Sequence, residues 1–240
     1  MSEQRALPGP GSVDLWLLAV PGPGTAVPAR EYALLDGAER RRARGFATPG
    51  GRDRYVRAHL LLRHVLARYV EPDAAALRFG RELPHGRPVL RGLSFAPHFS
   101  LSHSHGLAAV AVASAAVGVD VQRICPPGTV EACLSRLHPI ERAELELLGP
   151  AERTRAFSRL WSRKEAYLKG LGTGLSRPPR ADFLGDTDRA SRPPGWSVRD
   201  VPAPSGYAAA TALRAEEPHR VTVRTAPPTA GEEADSTPVR

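Results

Sequence analysis

Lysine is almost missing from this chain: among 33 basic residues only Lys164 and Lys169 are lysines, and both lie in one short segment. Cysteine is just as scarce. Cys125 and Cys133 form no CxxC pair and have no second ligand cluster nearby, which excludes a zinc-finger type of site and fits ordinary thiols in a reducing compartment. Long apolar runs are absent too. The longest uncharged one, Gly106 to Val119, is rich in Ala, Gly and Ser and falls short of the roughly 20 residues a membrane helix needs. The N-terminal residues lack the basic start, apolar stretch and small-residue cleavage site of a secretory signal, so a cytoplasmic protein without a membrane span is expected. There is no GxxxxGK[ST] loop, and no GxGxxG opening a helix after a strand, which removes support for the common nucleotide cradles.

What is present is the composition of a folded protein. The chain has 240 residues, 42% of them hydrophobic, enough for one large domain or two small ones, while 24 Pro and 22 Gly point to many loops. A net charge of +8 favours a negatively charged partner: a phosphate-bearing ligand, an acidic protein or nucleic acid. Arg supplies nearly all of that charge. Lys binds phosphate oxygens as a compact point charge without the planar fork of Arg, so the segment that keeps both ammonium groups invites a chemical reading.

Periodicity predicts a buried strand over Asp14 to Val20 and a helical stretch over Arg30 to Phe46, basic at its end. A core-packed helix over Arg52 to Val70 follows. Phe99 to Ser104 alternates as a strand does, with Phe99, Leu101 and His103 on one face and Ser100, Ser102 and Ser104 on the other. Leu107 to Ala113 and Val117 to Gln122 read as two further strands joined by a short turn. In the second of these, Gly118, Asp120 and Gln122 share a face. Helices follow over Pro139 to Leu148 and Ala151 to Leu171, and then strands over Trp196 to Val201, Tyr207 to Leu213 and Arg220 to Arg224. Helices interspersed with strand pairs indicate an α+β fold. No internal repeat is evident. Residues 1–12 and 225–240 read as mobile ends, leaving an N-terminal half over 13–113 and a C-terminal half over 114–224.

On the long second helix, Phe157, Leu160, Trp161 and Leu168 form an apolar stripe with Lys164 among them and Glu165 and Lys169 along its flank. One reading is a Glu165–Lys169 pair on a half-exposed flank with Lys164 snorkelling. The other is a carboxylate beside two ammonium groups, able to hold a divalent cation and the phosphate oxygens it bridges. Asp120 and Gln122, taken alone, read as polar residues of an edge strand. Combined with Glu165, Asp120 offers the pair of carboxylates that Mg²⁺ takes alongside substrate phosphate and water. His103 is either a strand histidine or a phosphate donor.

Gly86-Arg87-Pro88, Ser100 to Ser104 (SLSHS), Val117 to Val121 (VGVDV), and Trp161 to Lys169 (WSRKEAYLK) followed by Gly170 to Leu175, resemble in order and spacing the phosphopantetheinyl transferases of the surfactin type. The resemblance covers about residues 30–175. It implies a monomer of two similar α/β halves related by a pseudo-twofold, each with a helix packed on a small antiparallel sheet and with coenzyme A in the cleft between them. It also implies transfer of the 4'-phosphopantetheine arm of coenzyme A to a serine of an apo acyl or peptidyl carrier protein, giving holo carrier and adenosine 3',5'-bisphosphate. Carried over by position, Asp120 and Glu165 bind Mg²⁺ on the pyrophosphate and Lys169 contacts that pyrophosphate. Glu165 deprotonates the carrier serine, directly or through water. His103 and Ser102 contact coenzyme A phosphates, and Arg87 the adenosine end or its 3'-phosphate. Arg42 is the best match for a further phosphate contact, with Arg57 and His59 as competitors. Gln122 stands where many relatives carry a third acidic ligand; an amide cannot remove a proton, so it is read as a weak or indirect metal ligand. A single compact chain with both halves favours secondary metabolism, such as polyketide or nonribosomal peptide biosynthesis.

Two other classes compete. A basic nucleic-acid-binding module without enzymatic activity accounts for the charge and for the Arg-rich segments 40–44 and 52–63, but leaves Asp120 and Glu165 without a role. A Mg²⁺-dependent phosphodiesterase or nuclease needs a water nucleophile and usually more carboxylates.

Overall fold

The computed structural model describes residues 5–20, 27–82, 86–185 and 193–225. Strand β1 (Ser12–Ala19) is followed by helices α1 (Ala29–Tyr32), α2 (Gly37–Arg44) and α3 (Pro49–Leu66). The expected single helix over Arg30 to Phe46 is two. Asp36 interrupts it, because its carboxylate accepts the N–H groups of Ala38 and Glu39 while Glu39 accepts the N–H of Asp36, a reciprocal cap that starts a new helix. Short strands β2 (Phe79–Arg81) and β3 (Pro88–Leu90) pair with each other ahead of β4 (His98–Ser104) and β5 (Leu107–Ala113).

The chain then crosses to a second sheet. Strand β6 (Val117–Arg123) is followed by α4 (Pro127–Cys133), α5 (Pro139–Glu146) and α6 (Pro150–Leu171), then by β7 (Trp196–Asp200), β8 (Tyr207–Arg214) and β9 (Arg220–Thr225). The turn at 114–116 therefore joins two sheets and makes no hairpin, since β5 pairs with β1 and β4 whereas β6 pairs with β8. The sheets run β4-β5-β1-β9 and β6-β8-β7. In both, the first strand lies antiparallel to the later strand that pairs with it, and that strand in turn pairs antiparallel with the one before it in the chain. Strand β9 departs from the expected division of the chain. It lies parallel to β1 in the first sheet, so the end of the C-terminal segment returns to the N-terminal one.

Helix α3 covers one face of the first sheet through Ala58, Leu61, Leu62 and Val65 against Trp16, Phe99, Val110 and Val112. Helix α6 covers the second sheet through Phe157, Leu160, Ala166 and Tyr167 against Val198, Ala210 and Ala212. The uncovered faces meet each other: Val13, Leu15, Ala109 and Ala111 pack with Val117, Val119, Val121 and Leu213. This double burial explains why every residue of LAAVAVA in β5 is buried, with small side chains where sheet meets sheet. Residues 1–12 were expected to be a mobile end, but from Arg5 onward they are held: the Arg5 N–H donates to the Arg68 carbonyl at 2.6 Å and Leu7 packs on the first core. Residues 1–4 and 226–240 lie outside the described residues. Among the described residues, no helix is long and apolar enough to cross a membrane.

Candidate active site

Strands β4 and β6 run side by side without sharing a backbone ladder. The hydroxyls of Ser100, Ser102 and Ser104 take its place, accepting the N–H groups of Val119, Val121 and Arg123 at 3.1, 3.2 and 3.1 Å. Alternation on both strands turns three serines toward three backbone donors and satisfies an edge that would otherwise be buried unpaired. The serine face of β4 thus sets where Asp120 of β6 stands.

Helix α6 approaches β6 just as closely. A Cβ added at Gly118 would sit 1.9 Å from the Ala166 carbonyl oxygen, and one at Gly170 would stand 3.3 Å from the Gly118 nitrogen. Glycine at both positions lets helix and strand backbones touch. That contact brings Glu165 and Lys169 over Asp120. All three line a cleft of about 330 Å³ together with Leu101, Ser102, His103, Ser104, Val121, Gln122 and Trp161.

Within the cleft, Asp120 is buried. Its Oδ1 accepts from Lys169 Nζ at 2.7 Å and from Ser102 Oγ at 2.9 Å, while Oδ2 is buried without a partner. Lys169 Nζ also donates to Ser102 Oγ at 2.9 Å. Burial pushes the Glu165 carboxyl above its ordinary value, with Lys169 pulling it down and Asp120 raising it further. His103, exposed at the rim, has its imidazole held below the usual histidine value, first by loss of water around the ring and then by the charges of His59, Lys169 and Arg54. Two carboxylates, one with an orphaned buried oxygen, beside an ammonium are a donor set suited to a hard divalent cation.

The other expected residues fall elsewhere or act differently. Gln122 lines the cleft, yet its amide nitrogen donates to the Ser158 carbonyl of α6 at 2.9 Å, so it ties strand to helix. Lys164 neither snorkels nor joins the site: it is buried, 2.7 Å from Glu141 Oε2, and donates to the carbonyls of Pro179 and Asp182. The reading of two ammonium groups beside one carboxylate is therefore corrected to one. Arg87 lines a different cavity, of about 530 Å³ at the C-terminal end of α6, where it holds Glu82 and the Gly170 carbonyl. Arg42 is exposed on α2 and lies over the Phe46 ring, and His59 bonds Glu39 at 2.9 Å. The Ser102 hydroxyl spends its proton on Asp120 and accepts from Val121 and Lys169, which leaves it no free valence for a phosphate.

Sequence reasoning missed Glu141, whose helix starts behind a histidine cap that does not advertise itself, and the closeness of Gly118 to α6. A lone glycine between valines was the available signal for the latter.

A helix-backed pair of sheets with this cleft between β4, β6 and α6 defines an α+β enzyme-like scaffold, and the comparisons specify it. Residues 116–219 match the family model of the 4'-phosphopantetheinyl transferase superfamily. The 4'-phosphopantetheinyl transferase HetI of Nostoc is 30% identical over 209 residues, covering 84% of this chain and 87% of that protein. A 4'-phosphopantetheinyl transferase of Bacillus subtilis is 31% identical over 149 residues, 62% of this chain and 65% of the relative, so the match spans just under two thirds of the latter's length. The Sfp transferase of Bacillus subtilis strain 168 is 29% identical over the same shares. The chain belongs to the 4'-phosphopantetheinyl transferase superfamily.

Proposed function

We propose that the protein transfers the 4'-phosphopantetheine arm of coenzyme A to a serine hydroxyl of an apo acyl or peptidyl carrier protein, releasing adenosine 3',5'-bisphosphate. The observation that carries this reading is the convergence of Asp120, Glu165 and Lys169 on one cleft, with Asp120 Oδ2 left unpartnered. The serine oxygen forms the new bond to phosphorus as the bond to the bridging pyrophosphate oxygen breaks. Glu165 receives the serine proton, directly or through water, a role its raised carboxyl suits. Lys169 offsets charge on the diphosphate, and His103 stands ready at the rim to donate to a phosphate oxygen. Asp120 and Glu165 would hold Mg²⁺, with Gln122 an outer contact at most. When bound, that ion supplies charge neutralisation on the pyrophosphate.

The matching strand order of the two helix-backed sheets supports two halves related by a pseudo-twofold. A monomer in the cytoplasm completes the proposed reading. The charge of +8 suits an acidic carrier, and polyketide and nonribosomal peptide carriers are the favoured class. Incubation with coenzyme A, Mg²⁺ and an apo carrier should add one phosphopantetheine to the carrier by mass spectrometry. An unmodified carrier, with DNA bound or cleaved in its place, would overturn the reading.

A further inference from the structure

We infer that Ser102 is a positioning residue, which orients Asp120 and Lys169 without touching coenzyme A. The inference deepens the proposed transfer and rests on it. A serine hydroxyl has one proton and two lone pairs. Here the proton goes to Asp120 Oδ1 at 2.9 Å, and the lone pairs receive the Val121 N–H at 3.2 Å and Lys169 Nζ at 2.9 Å. Ser102 is itself buried, at the floor of the cleft. With Lys169 also on Oδ1, that oxygen has two donors, and the carboxylate is turned so that Oδ2 alone remains without a partner. One hydroxyl therefore orients the carboxylate and the ammonium while sharing with Ser100 and Ser104 the tie of β4 to β6.

Ser100 provides the matched control. It makes the same kind of bond to β6, through the Val119 N–H at 3.1 Å, and lines no part of the cleft. A structural role shared by both serines predicts equal effects of removing either. A positioning role predicts a split.

The test compares Ser102→Ala, Ser102→Thr and Ser100→Ala in the full chain, by carrier modification and by calorimetric titration of coenzyme A with Mg²⁺ present. Ser102→Ala is expected to lower kcat at least about 10-fold while Kd and KM for coenzyme A stay within about 3-fold. Ser102→Thr, which keeps the hydroxyl, should hold kcat within about 3-fold of the parent, and Ser100→Ala should keep kcat within about 2-fold despite a lower melting temperature. A rise of about 10-fold or more in Kd for coenzyme A on Ser102→Ala would make Ser102 a direct phosphate contact and overturn the inference. Equal kcat losses from Ser100→Ala and Ser102→Ala, or a Thr variant as slow as the Ala variant, would overturn it too. A parent chain that binds coenzyme A but modifies no carrier would instead sink the proposed function, and the titration would still show whether Ser102 touches the ligand.

Discussion

Arg63 on α3 and Lys164 on α6 occupy corresponding places in the two helix-backed sheets. Each is buried and bonded to a glutamate at the third position of the preceding capped helix, Glu39 at 2.6 Å and Glu141 at 2.7 Å. Each donates to two carbonyls of the segment that follows its own helix, those of Ala74 and Leu77 in one unit and of Pro179 and Asp182 in the other. Strand register matches as well, with Val13 opposite Ala113 and Val117 opposite Leu213.

Counting from these anchors sets Asp14 and Tyr69 against Gly118 and Gly170, Trp16 against Asp120, His64 against Glu165, and Arg68 against Lys169. In the first unit the Tyr69 hydroxyl donates to Asp14 at 2.6 Å and Trp16 Nε1 donates to Tyr69 at 2.9 Å, while Arg68 lies over the Trp16 ring. Side chains hold that helix off the strand. In the second unit the facing pair is glycine, the backbones touch, and the next positions bring carboxylates and an ammonium together. The matched positions are packed with aromatic rings in the first unit and line the cleft of Asp120, Glu165 and Lys169 in the second.

The largest effect should come from the glycine contact. In Gly118→Ala the new methyl meets the Ala166 carbonyl, so α6 must lift, and a loss above about 4 kcal/mol in urea unfolding is expected. Asp14→Ala at the matching position of the first unit forfeits hydrogen bonds from Tyr69 and Arg224 and should lose about 1–3 kcal/mol. Equal losses would dissolve the distinction between the two packings.

The two lysines give the next contrast. Lys164→Ala and Arg63→Ala each strand a buried glutamate and should each cost about 3–5 kcal/mol. Lys169→Ala leaves the buried Asp120 carboxylate with the Ser102 hydroxyl as its side-chain donor, for which a smaller loss of about 1–3 kcal/mol is expected, yet carrier modification should fall at least about 100-fold. Paired unfolding and turnover measurements separate these outcomes. A fully active Lys169→Ala would remove the ammonium from the site.

A smaller contrast concerns pH. Burial raises the Glu165 carboxyl, so the folded state holds its proton more tightly than the unfolded chain, and stability falls as pH rises from the ordinary carboxylate range through the folded value. Burial also raises Glu39, but hydrogen bonds from His59, Arg63 and the Asp36 N–H reverse this and leave it below 4.5. Its contribution is present above the unfolded value and is lost as pH falls through the folded one. In melting curves at neutral pH, Glu165→Gln should therefore be more stable than the parent and Glu39→Gln less so. Both differences should shrink in acid, and differences of the same sign would contradict the assignment.

Much of this arrangement was legible in the sequence, for identifiable reasons. The alternation of FSLSHS and VGVDVQ and the helical spacing of the KEA segment carry a local periodicity, so strands and helix could be read directly, while Asp120, Glu165 and Lys169 were joined into one site only through the family resemblance of their motifs. Contacts between distant elements carry no such signature. Helical spacing sets Lys164 in the apolar stripe and Lys169 on its flank, but only the positions of α5 and β6 decide that one meets Glu141 and the other Asp120. The return of β9 to β1 and the parallel between the two units lie in topology, with too few matched residues, such as Glu39 with Glu141, to register as a repeat.

Glu165→Ala provides the decisive comparison, assayed for carrier modification by mass spectrometry and for coenzyme A affinity by calorimetry. A loss of transfer of about 1,000-fold or more, with affinity reduced by about 10-fold or less, is the result expected of a carboxylate that acts on the carrier serine. Near-normal turnover in that variant would contradict the assignment.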